Sequence, residues 1–353
     1  MTTIEQSTRA YDAWLKQQLG GDIVAKDLAR KHQKMGESAF VFLRATYWRW
    51  AETIFEVCPD LAGAPSVLAV GDIHLENYGT WRDAEGRLAW GVNDFDEAAE
   101  MPYVLDLVRL AASALLAGTA RAAAACDAIL QGYKDGLAAP KPISLDRDNG
   151  WLMQLVEVDE GERAKFWKKI DAAPTKAAPK RYRDALLKAM PEPRLSLRTA
   201  RRTAGAGSLG RPRWIGVAEW RGAPAVREAK ALAMSAWARA HAPKAKRIRA
   251  SEIANGRFHS LDPWYAVENG IVVRRLSPNS RKIEADSLVA KLLSGDMLKL
   301  MGFELVNLHL GTADRHGAIS ADLKRRRQGW LPEAAKAAAK ACTRDFNDWR
   351  ARG

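Results

Sequence analysis

Apolar residues recur at helical spacing through much of the chain. Within residues 4–34 they fall on one face of a predicted helix, at Tyr11, Trp14, Leu15 and Leu19. Ser38, a residue type suited to an N-cap, precedes a second predicted helix that continues to about residue 57. The same spacing predicts further helices at residues 103–116, 119–137, 231–240, 288–310 and 332–349. The pattern therefore indicates a chain that is largely helical.

Short apolar runs of strand length interrupt the helices. Residues 67–70 and 88–92 are predicted strands, and each run ends in polar residues. From residue 195 the pattern becomes strand-like, with predicted strands at 195–202, 214–220, 225–228 and 271–276. We therefore expect an α+β chain with a small antiparallel β part at residues 191–285, flanked by helical parts at residues 1–190 and 286–353.

The stretch at residues 67–97 carries polar side chains in a pattern that suggests chemistry. Its first strand is followed by Asp72, His74, Glu76 and Asn77, and its second by Asn93, Asp94, Asp96 and Glu97. Hard cations such as Mg²⁺ take oxygen ligands, commonly one or two carboxylates together with substrate phosphates. The pattern favours a metal–phosphate site over the alternative, an acidic turn that faces water.

Asp72 and Asn77 stand five positions apart, as the Asp and Asn do in the catalytic loop of kinases. The motif V-G-D-I-H-L-E-N, followed by V-N-D-F-D, resembles the loop motifs of the aminoglycoside- and choline-phosphotransferase branch of the kinase-like enzymes. The resemblance implies that Asp72 orients the attacking hydroxyl or accepts its proton, and that His74 shapes the loop. It also implies that Asn77 and Asp94 hold Mg²⁺, with Asp96 as a candidate for a further ligand.

A glycine-rich segment, G-A-G-S-L-G at residues 205–210, lies between two predicted strands. Strand, glycine loop, strand, turn and strand is the order of a kinase small lobe, in which the loop covers the phosphates of ATP. Backbone N–H groups can approach phosphate oxygens closely only where side chains are absent. The candidate nucleotide-binding residues are therefore Gly205, Gly207, Ser208 and Gly210, and the alternative is a plain hairpin turn.

The third strand of such a lobe supplies a cation that holds the phosphates. Ala225-Val226-Arg227 has the kinase pattern Ala-x-Lys with Arg at the last position, and Lys230 follows three positions later. Side chains alternate along a strand, so Arg227 and Lys230 are expected on opposite faces. We predict that Arg227 is the phosphate clamp and points into the cleft toward Asp94, with Lys230 as the second candidate.

Three other residues have predicted roles. Asp106 lies in the first turn of the predicted helix at 103–116, and kinase-like enzymes use an Asp in a similar Asp-Leu motif to tie down the catalytic loop. His309, on an apolar helical face, is interpreted as a satisfied core residue. Arg44 has two interpretations that stay open, a snorkelling surface side chain and a contact to a phosphate or carboxylate.

Composition narrows the class of protein. A chain of 353 residues, 47% of them hydrophobic, can bury a large core. Its three widely spaced cysteines suit a reducing compartment, the N-terminus has no signal-peptide core, and no apolar run approaches the ~18 residues of a membrane span. These features predict a cytoplasmic protein. The net charge of +13 would suit a nucleic acid or an anionic substrate, but the scattered Lys and Arg residues do not favour a nucleic acid.

The order of the motifs is the reverse of that in an ordinary kinase, since the catalytic-loop motif precedes the glycine loop. In this order the chain resembles the bacterial family known as domain of unknown function 2252. Three further motifs carry the same resemblance: K-M-x-x-S-x-F-x-F-L-R at residues 34–44, D-L-x-R-L-A-x-S at 106–113 and R-E-A at 227–229. The resemblance covers about residues 30–316. It implies a circularly permuted, protein-kinase-like fold with a small antiparallel β lobe and a larger helical lobe, in a cytoplasmic bacterial protein. It implies no particular substrate.

The sequence thus predicts an ATP- and Mg²⁺-dependent phosphotransferase acting on a hydroxyl group. The alternatives are a non-catalytic nucleotide-binding protein, transfer of a nucleotidyl group from reversed ATP, and a metallophosphoesterase. The last shares the opening strand-G-D-x-H motif but needs later histidine motifs, and none surrounds His241, His259, His309 or His316. The predicted partners are a nucleotide and an acceptor, with no membrane; the identity of the acceptor and the oligomeric state stay open.

Overall fold

The computed structural model describes residues 2–118, 121–203, 205, 207–282 and 291–351. It is a mixed α and β structure in which helices predominate. The helices before residue 200 are α1 (Ile4–Leu19), α2 (Ala25–Lys34), α3 (Ala39–Ala45), α4 (Tyr47–Val57), α5 (Val104–Leu116), α6 (Ala122–Ala138), α7 (Gly150–Val156), α8 (Glu160–Asp171) and α9 (Lys180–Lys188). Those after it are α10 (Ala236–His241), α11 (Ala250–Ala254), α12 (Gly295–Gly311), α13 (His316–Arg325) and α14 (Trp330–Arg350). None of these helices combines the length and the apolar character that a membrane span requires.

The strands of the described residues form small antiparallel sheets. β1 (Ser66–Ala69) pairs with β4 (Ala99–Pro102), and β2 (Tyr78–Arg82) pairs with β3 (Leu88–Val92). A larger sheet is built from β5 (Arg198–Arg201), β6 (Arg213–Trp220), β7 (Ala223–Ala231), β8 (Ala266–Glu268) and β9 (Ile271–Arg275). Its order is β5-β6-β7-β9-β8, and each neighbouring pair is antiparallel. The larger sheet therefore falls within the segment for which strand structure was predicted.

Two predicted helices are each divided in the structure. Residues 4–34 form α1 and α2 because the chain turns at Gly20, whose φ of +56° is a left-handed value that suits glycine. The predicted helix that begins after Ser38 divides into α3 and α4 at Thr46, where the backbone leaves the helical region and the hydroxyl donates to the carbonyl of Phe42. Both breaks depend on single residues inside an otherwise helical apolar pattern.

Other predicted bounds shift at the ends of the larger sheet. β7 continues through residue 231, so the helix predicted at 231–240 begins only at Ala236. The Ser235 hydroxyl caps it by accepting from the N–H of Ala238. Of the predicted helices at 119–137 and 288–310, residues 119–120 and 288–290 lie outside the described residues.

Helix α5 lies at the centre of the helical body and is buried from Val104 to Ala114. Beside it α6 and α12 cross at close range. A Cβ atom on Gly132 would lie 1.7 Å from the carbonyl oxygen of Lys299, and one on Gly302 would lie 2.0 Å from that of Ile129. Only glycine fits at these two positions, and the crossing fixes where α12 lies against the body.

The larger sheet presents a different environment on each face, because side chains alternate along its strands. On one face, Gly216 of β6 packs against Leu186 of α9. On the other face Ile215 and Val226 pack with Ile170 of α8 in a small separate apolar cluster. Further along that second face the strands carry charged residues toward the helical body.

Replacing Gly132 by Ala should destabilise the protein, because the added methyl group would overlap the Lys299 carbonyl. Overpacking of this kind typically costs about 1–3 kcal/mol in the free energy of unfolding, which urea denaturation measures. Gly317→Ala, in α13 with no atom within 4 Å of the new Cβ, is the matched control and should be neutral or slightly stabilising. Equal urea midpoints for the two variants would contradict the tight crossing.

Candidate active site

A cavity of about 360 Å³ is bordered by residues of the 72–97 stretch and by residues of the larger sheet. Most of the site residues predicted from the sequence line it: Asp72, His74, Asn77, Asp94, Asp96, Gly205, Gly207 and Ser208. Gly210, Arg227 and Lys230 are not among the lining residues, although Lys230 contacts two of the lining carboxylates. The predicted catalytic loop and the predicted glycine loop are therefore neighbours in space.

The backbone before Asp72 is held by the buried carboxylate of Asp106. Its Oδ2 accepts from the N–H of Val70 at 2.8 Å, and its Oδ1 accepts from the N–H of Gly71 at 2.9 Å. Gly71 has a φ of +80°, and a Cβ there would lie 2.7 Å from the carbonyl oxygen of Glu97. The prediction that Asp106 ties down this loop is confirmed.

The same carboxylate is supported from behind by α12. Nε2 of His309 lies 3.1 Å from Oδ2 of Asp106, and its Nδ1 lies 2.9 Å from the Tyr133 hydroxyl. All three side chains are buried. His309 is thus the satisfied core residue that the sequence predicted.

Asp72 forms an ion pair with a residue that sequence reasoning did not select. Its Oδ1 accepts from Nη2 of Arg109 at 2.5 Å. The Arg109 guanidinium is buried over the rings of Tyr47 and Trp50, with its central carbon 4.9 and 5.1 Å from the ring centroids. Burial raises the pKa of the Asp72 carboxyl, and the charge of Arg109 opposes that rise. The carboxylate is therefore oriented by one cation and is a stronger base than a solvated one.

Asn77 joins the two polar loops of the site. Its Nδ2 donates to the carbonyl oxygens of Asp72 and Asp94, at 3.1 and 3.2 Å. Its Oδ1 is buried and has no hydrogen-bond partner among the described residues. A buried acceptor without a partner is costly, so an oxygen-seeking ligand at this position would satisfy it.

His74 has a structural position in the loop. Its Nδ1 accepts from the N–H of Glu76 at 3.2 Å, which caps the short 3₁₀ turn Leu75–Asn77. Burial and the nearby charge of Arg44 hold the pKa of this imidazole well below its ordinary value, so the ring is neutral. Arg44 itself pairs with the Glu76 carboxylate at 2.5 Å, which supports the second of its two interpretations, a carboxylate contact.

Lys230 lies between the two carboxylates predicted as metal ligands. Its Nζ is 3.2 Å from Oδ1 of Asp94 and 2.5 Å from Oδ1 of Asp96. Burial opposes ionisation of Asp94, but the charges of Lys230, Lys282 and Arg274 hold its pKa well below the ordinary value. Burial and the charge of Asp94 raise the pKa of Asp96. As the pH rises, Asp94 therefore loses its proton before Asp96 does.

The prediction that Arg227 points into the cleft is wrong. Its Nε donates to the carbonyl of Ala189 at 2.8 Å, and its guanidinium lies 4.2 Å from the centroid of the Trp264 ring. The expected alternation holds, because Arg227 and Lys230 do lie on opposite faces, but the faces were assigned the wrong way round. Lys230 pairs across the sheet with Arg213, and this face is the one turned toward the cavity.

The glycine loop lies against the catalytic loop. A Cβ on Gly207 would come within 2.9 Å of the Arg44 carbonyl oxygen and 3.4 Å of Oδ2 of Asp72. Gly205 and Gly210 have φ values of +74° and +95°, which other residues adopt only with strain. Residues 204 and 206 lie outside the described residues. Glycine at these three positions follows from close approach and backbone conformation.

Two contacts from α2 and the residue before it hold this loop, and neither was predicted. Nζ of Lys31 donates to the carbonyl of Gly207 at 2.9 Å, and the N–H of Val24 donates to that of Gly210 at 2.9 Å. Lys31 is buried over the ring of Trp48, 4.6 Å from its centroid. The only local signal was that Lys31 lies three positions after Leu28 on the buried side of α2.

The oxygen atoms around the cavity suit one hard cation shared with a phosphate. No group of three or more His, Cys, Asp or Glu side chains in the described part of the chain is arranged to hold a metal by itself. Asp94, Asp96 and the free Oδ1 of Asn77 supply two carboxylates and an amide oxygen instead. Mg²⁺ usually binds one or two carboxylates together with substrate phosphates, so the residues fit such an ion.

Comparison with known proteins identifies similarity to one family. Residues 24–198, just under half of the chain, match the profile of a family described as "Uncharacterized protein conserved in bacteria (DUF2252)". The matched segment contains Asp72, Asn77, Asp94 and Arg109 and ends at Arg198, before the glycine loop and Lys230. No curated protein and no solved structure matches the chain. The predicted resemblance to this family is thus supported over residues 24–198, and the kinase-like fold stays a prediction.

Lys230→Met should remove the cation between Asp94 and Asp96, which leaves Asp94 without a paired cation among the described residues and Asp96 with Arg211 alone. Breaking a buried pair in this way costs about 3 kcal/mol or more, so the melting temperature in EDTA should fall. Adding MgCl₂ should restore part of the loss, because a divalent cation can bind the freed oxygen atoms. Arg227→Met, on the opposite face, is the control. A melting temperature of Lys230→Met that does not change with Mg²⁺ would contradict the metal site.

Lys31 should make stability depend on pH. Burial and the nearby charge of Arg211 lower its pKa to about 8, whereas an unfolded lysine has about 10.4. Between these values the unfolded chain binds more protons, so the free energy of unfolding should rise with pH, by at most about 1.4 kcal/mol per pH unit. Urea denaturation from pH 7.5 to 10 should show a smaller rise in Lys31→Met than in the wild type. Lys26→Met, an exposed site on the same helix, should keep the wild-type slope.

Proposed function

We propose that this chain is an ATP- and Mg²⁺-dependent phosphotransferase that acts on a hydroxyl group of an acceptor. The observation that carries the proposal is the meeting of four parts around one cavity. An ion-paired Asp72, the free amide oxygen of Asn77, the Asp94–Lys230 pair and a glycine loop all border or contact it. These are the parts that kinase-like phosphoryl transfer requires.

Asp72 would act on the acceptor. The hydroxyl oxygen attacks the terminal phosphorus of ATP, the bond from that phosphorus to the bridging oxygen breaks, and ADP leaves. Asp72 orients the hydroxyl and takes its proton, while Arg109 keeps the carboxylate in one orientation. The raised pKa of Asp72 supports this role, since a base works best when its pKa lies nearer the working pH.

Asn77 and Asp94 would hold the metal ion. Mg²⁺, when bound, neutralises charge that develops on the transferred phosphoryl group. Asn77 already fixes the distance between the catalytic loop and the Asp94 loop through its Nδ2, which leaves its Oδ1 free for this purpose. Lys230, which contacts Asp94 and Asp96 in this structure, would turn to the phosphates, and the glycine loop would cover them.

The fold we propose is a circularly permuted, kinase-like arrangement of two lobes. The five-stranded antiparallel sheet supports it, because its first two strands flank the glycine loop and its third carries Lys230. The helical body supports it through the loops that carry Asp72 and Asp94. Both loops precede the sheet in the chain, which is the order that a permutation requires.

A non-catalytic nucleotide-binding protein is the second candidate. The Arg at the expected clamp position is the sequence feature that supports it, while the presence of Asp72, Asn77 and Asp94 together argues against it. In the structure Lys230 supplies a cation to Asp94. A metallophosphoesterase is less well supported, because His241, His259 and His309 contact, in turn, a backbone carbonyl, the Glu304 carboxylate and Asp106. The cytoplasmic location stays a prediction.

Asp94→Asn and Asp72→Asn should separate metal binding from catalysis. Asp94→Asn removes a charge that Mg²⁺·ATP needs, so calorimetric binding of Mg²⁺·ATP and turnover should both fall. Asp72→Asn keeps the shape and removes the proton acceptor, so turnover should fall by about 10²–10⁴-fold while Mg²⁺·ATP binding stays nearly unchanged. Turnover is measured as slow ATP hydrolysis or single-turnover transfer.

Melting temperatures serve as the control for both variants, because Asp72→Asn leaves the Arg109 guanidinium without a counter-charge. Equal loss of nucleotide binding in the two variants would mean that the roles of the two carboxylates are divided wrongly. A wild-type chain that binds no ATP in the presence of Mg²⁺ would contradict the phosphotransferase proposal itself.

A further inference from the structure

Three arginine side chains converge on one buried glutamate at the edge of the cavity. Oε1 of Glu228 is 2.9 Å from Nη1 of Arg213 and 2.9 Å from Nη2 of Arg274, and its Oε2 pairs with Arg202. Glu228 is only 1% exposed. Burial opposes its ionisation, but the charges of Arg274, Arg213 and Arg202 hold its pKa well below the ordinary value. The carboxylate is therefore charged and neutralises one of three guanidinium groups.

The other described carboxylates that line the cavity do not balance this excess of positive charge. Asp94 and Asp96 contact Lys230, while Asp96 and Glu97 contact Arg211. Glu76 pairs with Arg44, and Asp72 pairs with Arg109. The buried Asp262 lies near the charges of Arg275, Arg227 and Arg274. Over the described residues that line the cavity or pair with its lining, nine cations face seven carboxylates, an excess of about two positive charges. The cations are Arg44, Arg109, Arg202, Arg211, Arg213, Lys230, Arg274, Arg275 and Lys282, and the carboxylates are Asp72, Glu76, Asp94, Asp96, Glu97, Glu228 and Asp262.

Buried cations without a counter-charge are costly unless a ligand supplies one. The Arg213 side chain is 4% exposed, and its Nε has no hydrogen-bond partner among the described residues. Arg202 and Arg274 have side chains that are 25% and 22% exposed, and both line the cavity. The planar fork of guanidinium matches phosphate oxygens, which accept two parallel hydrogen bonds from it.

The geometry points to a polyphosphate-binding subsite formed by Arg202, Arg213 and Arg274, next to Lys230. Its ligand is a chain of two or more phosphates, either inorganic or part of a nucleoside triphosphate. In the sheet register Arg213 lies opposite Lys230 and Arg274 lies opposite Glu228, two residues or about 7 Å further along β7. The three guanidinium groups meet at the Glu228 carboxylate and Lys230 lies beside them against Asp94, so a chain of phosphates can contact the arginines and Lys230 at the same time.

The glycine loop borders the same subsite. Gly205, Gly207 and Ser208 line the cavity, and the Ser208 hydroxyl accepts from Nη2 of Arg213. A phosphate chain over the three arginines would therefore lie beneath the loop. The nucleotide form of the ligand rests on the proposed function, but the inorganic form does not, so the subsite can be tested without ATP.

Calorimetric titration of the full chain with inorganic tripolyphosphate, without Mg²⁺, tests the subsite. Arg202→Gln is the informative variant, because Arg213 and Arg274 still neutralise Glu228. It should weaken tripolyphosphate binding about tenfold, the loss expected for one charged hydrogen-bonding group at a partly exposed position. Arg202→Lys keeps a point charge without the fork and should recover part of the affinity. Inorganic monophosphate should bind far more weakly than tripolyphosphate.

Arg201→Gln is the matched control. It removes the same charge one residue earlier in β5, on the opposite face, where Arg201 is exposed beside Trp214. Equal weakening by Arg201→Gln and Arg202→Gln would show that the loss of affinity comes from the overall charge of the protein. That result would overturn the subsite. Wild-type affinity in Arg202→Gln, or no tripolyphosphate binding by the wild type, would also overturn it and leave the arginines as supports for Glu228.

Titration with Mg²⁺·ATP separates the failure of the subsite from the failure of the phosphotransferase proposal. If Asp94→Asn loses ATP binding and Arg202→Gln does not, the phosphotransferase proposal stands and the subsite is wrong. If tripolyphosphate binds through Arg202 but the wild type binds no ATP, the subsite stands and the nucleotide-dependent function is wrong.

Discussion

The position of Asp72 depends on one buried carboxylate that does not face the cavity. Asp106 accepts from the two backbone N–H groups before Asp72 and is itself supported by His309. Removing a buried acceptor leaves each of its donors unsatisfied, at about 1–3 kcal/mol each. The backbone before Asp72 is therefore held by α5 and α12, which are rigid elements of the core. The hydrogen bonds that hold this loop come from a side chain outside it, so the Asp72 side chain stays free to face the cavity.

Charged contacts connect the larger sheet to the helical body around the cavity. Lys230 contacts Asp94 and Asp96 across this junction, and Arg211, which precedes β6, contacts Asp96 and Glu97. Buried ion pairs contribute little net stability, because the desolvation of both partners offsets their attraction. Such a junction can exchange one ionic partner for another, such as a phosphate or a metal ion, at a small net cost. A junction of apolar side chains could admit such a ligand only by separating and exposing apolar surface to water.

The features that depend on neighbouring residues could be predicted from the sequence. The five-residue spacing of Asp72 and Asn77, and the first-turn position of Asp106, are local patterns, and the structure brings these residues together. The face of β7 that carries Lys230 was assigned wrongly, because it depends on the register with β6 and β9, which the strand's own residues do not encode. Lys31 was missed for the same kind of reason, since it contacts a carbonyl 176 positions away in the chain.

The contact between Asp106 and His309 has a consequence for how the chain folds. The two residues are 203 positions apart, and Arg49 contacts Asp345 across 296 positions. Contacts of such sequence separation form late, because a long loop must close before they can stabilise anything. During synthesis the segment that carries Asp72 and Asp94 leaves the ribosome well before α12 does. Until its last third has been made, the nascent chain therefore has an unfinished site, and the apolar surface of α5 that α12 and α14 cover is still exposed.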